Sequence, residues 1–225
     1  MVDYRHWRRI VKLDPASPVD DVRLAEVLSW DLDAVVVGGS GGYGAAEVLA
    51  LLARLRRHER SQVPVALEVS DAAVICPGFD LYLIPMVLNS SDVAWVVGHH
   101  QAAIKRYARV LDWGRVVVEG YCILNPDASA ARLSRARAGL GVDDVLAFAL
   151  LAEHLLELPI FYIEYSGVYG SVDLVAAVRE VLVNTRLWYG GGIRTGDQAR
   201  EMGAVADAIL IGNAVVEGCA PLGPG

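Results

Sequence analysis

The stretch RLWYGGGIRTGDQAREMGAVADAILIGN, residues 186–213, decides the fold. It opens with a short apolar strand, Arg186–Tyr189, and a glycine turn at Gly190, Gly191 and Gly192. An amphipathic helix over Asp197–Met202 follows, then a second apolar strand, Ala208–Ile211, and Gly212-Asn213 at the start of a further helix. Both strands are apolar on successive residues, which suits parallel strands covered on two faces. Glycine turns at two neighbouring strand ends present unhindered backbone N–H groups. Together they form the phosphate cradle common in closed β/α barrels.

The same rhythm runs through the rest of the chain. Apolar runs recur at Ile10–Leu13, Ala34–Val37, Val63–Val69, Leu81–Met86, Val116–Ile123 and Ile160–Tyr165. Helical stretches lie between most of them. Ser17-Pro18 reads as an N-cap and first helical residue, with Val19, Val22 and Leu28 near one face. Ala45–Arg57 carries Arg54, Arg56 and Arg57 toward its end, where cations suit the helix dipole. Ser90–Leu111, Val142–Glu157 and Val172–Leu182 read similarly.

Eight strands alternating with helices predict an α/β fold, a closed TIM (β/α)8 barrel over residues 1–217. An open doubly wound sheet would have fewer strands and a glycine-rich turn after the first; here Asp14-Pro15 follows it. Two places break the rhythm. Ser70–Asp80, containing Pro77-Gly78, is too short for a crossover helix, so an extended segment is expected there. After Glu217 a Pro/Gly-rich tail, 218–225, shortens the last helix. Cover from a partner subunit is expected on that side.

Composition bounds the function. Lys and Arg number 20 against 27 Asp and Glu, a formal charge of −7, which argues against a broad nucleic-acid-binding face. An apolar fraction of 54% with 21% charged residues excludes a mainly disordered chain. Cys76, Cys122 and Cys219 form no CxxC pair and suit a reducing compartment. No signal-type run follows Met1–Arg9, and no stretch approaches the ~20 apolar residues of a membrane span. A soluble, cytoplasmic protein is expected.

Barrel chemistry gathers at the C-terminal strand ends. Lys12 in an apolar strand calls for a ligand or an ion-pair partner, with Asp14 the nearest in sequence. Asp14 with the Ser40 hydroxyl suits a hard cation such as Mg2+. Glu164, between Tyr162 and Tyr165, is either a general base or a buried acceptor. Glu68 and Glu119 stay open between structural and functional roles. His99-His100 lacks an HExxH spacing, so zinc is not expected. Trp7, Trp30, Trp95, Trp113 and Trp188 read as packing residues.

Seven motifs in order carry a resemblance: Lys12-Leu13-Asp14-Pro15, Val37-Gly38-Gly39-Ser40, Pro77-Gly78-Phe79-Asp80-Leu81-Tyr82, Glu119-Gly120-Tyr121-Cys122-Ile123, Tyr162-Ile163-Glu164-Tyr165-Ser166-Gly167, Tyr189-Gly190-Gly191-Gly192-Ile193-Arg194 and Ile211-Gly212-Asn213-Ala214-Val215. From Trp7 to Glu217 the chain resembles the geranylgeranylglyceryl phosphate synthase family, most closely its bacterial branch of PcrB-type heptaprenylglyceryl phosphate synthases. The resemblance implies a modified TIM barrel lacking the helix after the third strand. It implies prenyl transfer from a long polyprenyl diphosphate to the C3 hydroxyl of sn-glycerol-1-phosphate, with Mg2+ as cofactor. Lys12 would contact glycerol phosphate, and Asp14 and Ser40 would hold Mg2+. Tyr162, Ile163, Glu164, Tyr165, Ser166 and Gly167 would line the glycerol phosphate site, with Glu164 as the base. Gly192, Gly212 and Asn213 would bind the phosphate. Ala103 matches the position where a bulky aromatic closes the groove in geranylgeranyl enzymes, so its small side chain implies a heptaprenyl chain. The second motif continues as Gly42-Tyr43-Gly44 where relatives often have Gly-Val-Thr.

A homodimer is implied as well, with transient membrane contact to collect the substrate. No basic amphipathic helix stands out for that contact. The competing readings are the same reaction with geranylgeranyl diphosphate, another phosphate-binding barrel enzyme, and a non-catalytic lipid-binding protein on the same fold.

Overall fold

Eight parallel strands hydrogen-bond in chain order and close on themselves, Arg9 of the first pairing with Ile209 of the last. They are β1 Arg9–Leu13, β2 Ala34–Val37, β3 Val65–Glu68, β4 Leu81–Val87, β5 Val116–Ile123, β6 Ile160–Glu164, β7 Arg186–Gly190 and β8 Ala208–Ile211. The helices are α1 Asp21–Leu28, α2 Ala45–Arg57, α3 Gly98–Tyr107, α4 Ser129–Ser134, α5 Val142–His154, α6 Val172–Val181, α7 Gly196–Gly203 and α8 Asn213–Val216. The structure is a computed structural model describing residues 2–58 and 63–224. The outer ends of the expected barrel and tail, residues 1 and 225, lie outside the described residues, as do 59–62.

Side-chain alternation along each strand sorts the apolar residues into two cores. Ile10, Val36, Ala66, Leu83, Tyr162 and Trp188 fill the barrel interior. Val11, Val35, Leu67, Phe161, Ile163 and Tyr189 face outward and pack beneath the helices. Trp7 and Trp188 pack inside with ring centroids 6.1 Å apart. The interior is filled with side chains.

One part of the wall is thinly covered. Between β3 and β4 the helical layer shrinks to a single 3-10 turn, Ala72–Val74. The short Ser70–Asp80 link allows nothing longer. The outward residues of β4, Tyr82, Ile84 and Met86, are therefore only partly buried.

Two expectations need correction. The cap of α1 is Asp20, whose carboxylate accepts the Arg23 N–H at 2.7 Å, and not Ser17. Pro15 and Ala16 turn first, and Val22 points to solvent at 80% exposure. The tail also covers its own side of the barrel. Arg23 donates to the carbonyls of Val215 and Ala214 at 2.8 and 3.1 Å and to that of Cys219. The Asp31 N–H donates to Gly223 O at 2.9 Å, Trp30 bridges to Pro224, and Leu222 is buried.

Candidate active site

Two cavities open at the C-terminal strand ends and share a wall. The first, of about 380 Å3, is polar and lies over β1, β6, β7 and β8. The second, of about 340 Å3, is an apolar groove along the outer face of β4 and β5, beneath α3. Lys12, Gly39, Ser40, Glu164 and Ser166 line both. The groove exists because the missing helix leaves Tyr82, Ile84 and Met86 without a full cover.

Lys12 is paired with Glu68 and not with Asp14. Its Nζ lies 2.7 Å from Glu68 Oε1 and 2.9 Å from Oε2. Tyr121 donates its hydroxyl to the same carboxylate. Burial alone would lower the Lys12 pKa, but Glu68, with Glu164 and Glu119 beyond it, overrides this and holds the ammonium above the ordinary lysine range. Glu68 fits because Gly38 faces it: a Cβ there would lie 2.8 Å from Glu68 Cβ. Glu119 is fully buried on β5, and neither oxygen has a hydrogen-bond partner among the described residues. Burial first, and Glu68 second, push its carboxyl well above the usual range.

Glu164 is held as an acceptor. Its Oε1 receives the Ser166 N–H at 2.6 Å and the Ser166 hydroxyl at 2.8 Å. Burial, with the nearby Glu164 carboxylate next, raises the Tyr162 phenol pKa well above its ordinary value. Only a glycine at 190 lets the Tyr162 ring in, since a Cβ there would fall 1.9 Å from its hydroxyl oxygen. Alternation splits the 162–167 stretch. Tyr162, Glu164, Ser166 and Gly167 line the polar cavity. Ile163 and Tyr165, expected there, do not: Ile163 lies in the outer core, and Tyr165 packs on Tyr189 at 6.2 Å.

The expected phosphate cradle is built of backbone. Gly192 has φ +56, and a Cβ there would lie 2.2 Å from Tyr169 N. The N–H groups of Gly192, Ile193, Gly212 and Asn213 make no hydrogen bond among the described residues. Gly192, Gly212 and Asn213 all line the polar cavity. Arg194 is occupied at the rim, its Nε 2.6 Å from Glu217 Oε2 and its Nη2 2.8 Å from Oε1. Lys12 therefore supplies the inner positive charge.

Asp14 and Ser40 line this cavity as well. The Asp14 carboxyl group lies against Gly39: a Cβ there would come within 2.3–2.5 Å of its three outer atoms. Its Oδ1 accepts the Ala16 N–H at 2.8 Å, and burial raises its pKa. A partly desolvated carboxylate that shares a cavity with a hydroxyl has donor chemistry suited to a hard cation. Mg2+ is usually held by one or two carboxylates, water and substrate phosphates; no cluster of three or more His, Cys, Asp or Glu residues that could hold a metal is found among the described residues. Tyr43, the departure in the second motif, pins this loop. Its hydroxyl accepts the Gly39 N–H at 2.8 Å, bonds Gly39 O at 3.0 Å and meets Ser70 Oγ at 3.2 Å.

Ala103 lines the groove from α3, beside His99, His100 and Ile104. Trp95 and Trp113, read from the sequence as packing residues, are groove residues, with Trp95 edge-on to His99 at 5.0 Å.

The pattern of the PcrB family matches residues 2–220. The chain belongs to the PcrB family. It is 50% identical over 217 residues to the heptaprenylglyceryl phosphate synthase of Geobacillus kaustophilus, covering 96% of this chain and 90% of that protein. To the synthase of the same name from Geobacillus thermodenitrificans it is 52% identical over the same length and coverage. Among solved structures it resembles (S)-3-O-geranylgeranylglyceryl phosphate synthase from Thermoplasma acidophilum in complex with sn-glycerol-1-phosphate. That match has TM-score 0.78 and 24% identity, covering 93% of this chain and 86% of the other; at that identity the likeness is one of fold. As a PcrB family member the chain carries the family's modified TIM barrel.

Proposed function

We propose that this chain transfers the prenyl group of heptaprenyl diphosphate to the C3 hydroxyl of sn-glycerol-1-phosphate, giving heptaprenylglyceryl phosphate and pyrophosphate. The observation that carries this reading is the shared wall. A polar, phosphate-sized cavity and an apolar groove meet at Lys12, Ser40, Glu164 and Ser166, where a phosphorylated alcohol and an allylic diphosphate would react. The names borne by relatives at 50 and 52% identity support the same substrates.

The amides of Gly192, Gly212 and Asn213 bind the glycerol phosphate and aim its free hydroxyl at Glu164. The allylic C–O bond breaks with its electron pair leaving on pyrophosphate, the C3 oxygen bonds the allylic carbon, and Glu164 takes the hydroxyl proton. Two donors from Ser166 fix Oε1 and leave Oε2 for that hydroxyl. Lys12, kept charged by Glu68, faces the developing anion. Asp14 and Ser40 would hold Mg2+, which when bound supplies positive charge for the leaving diphosphate. A groove passing Ala103 without an aromatic barrier suits a seven-unit chain. The reading includes a homodimer in the cytoplasm; sedimentation showing only a monomer would remove the dimer.

Glu164→Gln tests the base. Folding persists, because Gln keeps an acceptor for Ser166, while the rate falls by roughly 10²–10⁴. Full activity in that variant would end the general-base role.

A further inference from the structure

The groove runs the height of the barrel, from Glu164 at the mouth to Leu111, Trp113 and Val116 at the start of β5. The eight residues of β5 give it a length of about 26 Å. At the far end the apolar surface continues into solvent: Ile104 is 43% exposed, Trp113 52% and Val110 80%.

A second feature coincides with this rim. Lys105 and Arg106 lie in the last turn of α3 and Arg109 follows three residues after Arg106; all three are exposed, and no carboxylate pairs with any of them among the described residues. The local acid, Asp112, is engaged by Arg115 at 3.1 Å. Cations without a carboxylate partner, Arg106 lying over the Tyr107 ring at 5.1 Å, thus crowd one edge of a chain whose net charge is −7. Exposed tryptophan and aliphatic side chains flanked by lysine and arginine make up the composition of a membrane-surface contact. No helix among the described residues is long and apolar enough to cross a bilayer, so such a contact is peripheral.

We propose that the end of α3 and the loop after it, Ile104 to Trp113, form a docking surface for an anionic lipid bilayer. The unpaired cations select the occupant, since a zwitterionic or cationic surface offers them nothing. Resting on the prenyl-transfer reading, the groove end then faces the bilayer, and the polyprenyl tail passes into it while its diphosphate reaches Lys12.

The test is co-sedimentation of the full chain with phosphatidylcholine vesicles, with and without phosphatidylglycerol. Binding is expected to require phosphatidylglycerol and to weaken as added salt shortens the screening length, about 10 Å at 0.1 M. Lys105→Glu, Arg106→Glu and Arg109→Glu together are expected to lower partitioning roughly a hundredfold, each basic residue at such a surface being worth about fivefold. None of the three lines the groove, so turnover of a short-chain prenyl diphosphate in detergent should be unchanged and doubles as the folding control. Equal binding to both vesicle types, or a variant that binds like the parent, overturns the proposal. A variant that alters oligomeric mass but not vesicle binding marks a contact between chains and also overturns it. Vesicle binding without prenyl transfer would keep this surface and remove the proposed reaction; transfer without vesicle binding would do the reverse.

Discussion

Removing the charge of Glu68 probes the site through its buried ion pair. Glu68 and Lys12 have side chains 5% and 19% exposed, and both carboxylate oxygens lie within 2.9 Å of Nζ. Breaking a buried pair from one side costs about 3–5 kcal/mol, because the other charge is left uncompensated. Lys12 keeps some access to water through the cavity, so Glu68→Gln should fall at the low end, about 3 kcal/mol. Gln retains an acceptor for the Tyr121 hydroxyl, so that bond does not confuse the measurement. Lys12→Met strands Glu68 and should cost a similar amount. The double variant removes both charges and should be no less stable than either single one, a coupling of about 3 kcal/mol. Urea unfolding of the four proteins, extrapolated linearly to water, reads this directly. The double variant should remain inactive, since the cation at the shared wall is gone. A coupling below about 0.5 kcal/mol, the level found for independent sites, would refute the pairing and with it the account of why Lys12 stays charged.

Ala103→Trp should shorten the accepted chain, because each five-carbon unit displaced from the groove into water forfeits up to about 4 kcal/mol at ~0.8 per buried CH2. Competing heptaprenyl and geranylgeranyl diphosphates would show it, and an unchanged product ratio would separate Ala103 from chain length. Glu153 makes a pH-dependent contribution to stability. Burial alone would raise its pKa, but N–H donors from Thr185 and Asn184 and the Asn184 amide bring it to about 2. Its contribution, about 3 kcal/mol from that shift, is present above the ordinary carboxylate pKa near 4.5 and is lost as pH falls toward 2. The stability gap between the parent and Glu153→Gln should therefore narrow between pH 5 and pH 2; a gap independent of pH would contradict the sign.

All eight strands were legible because strands covered on both faces are apolar on consecutive residues. Ala34–Val37, Val116–Ile123 and Ala208–Ile211 have the bounds read from the sequence. The missing helix was legible from chain length alone. Alternation within β6 was not applied to Ile163 and Tyr165, and a strand that is apolar throughout hides which residues face the ligand. Glu68 as the partner of Lys12 was not legible, since 56 residues separate them and only the closed barrel brings them together. α4, at six residues, is too short to show periodicity. Trp95 and Trp113 gave no sign of lining a groove, because that depends on how α3 lies over β4. The Pro/Gly-rich tail rightly read as non-helical, but its return to Trp30 depends on contacts that composition does not encode.

The most direct test of the account is product analysis with the purified chain, labelled sn-glycerol-1-phosphate, Mg2+, and equal amounts of heptaprenyl and geranylgeranyl diphosphates. The predicted result is labelled heptaprenyl ether with release of pyrophosphate, lost when Mg2+ is chelated. A labelled geranylgeranyl ether alone would overturn the groove-length argument, and no ether from either diphosphate would contradict prenyl transfer itself.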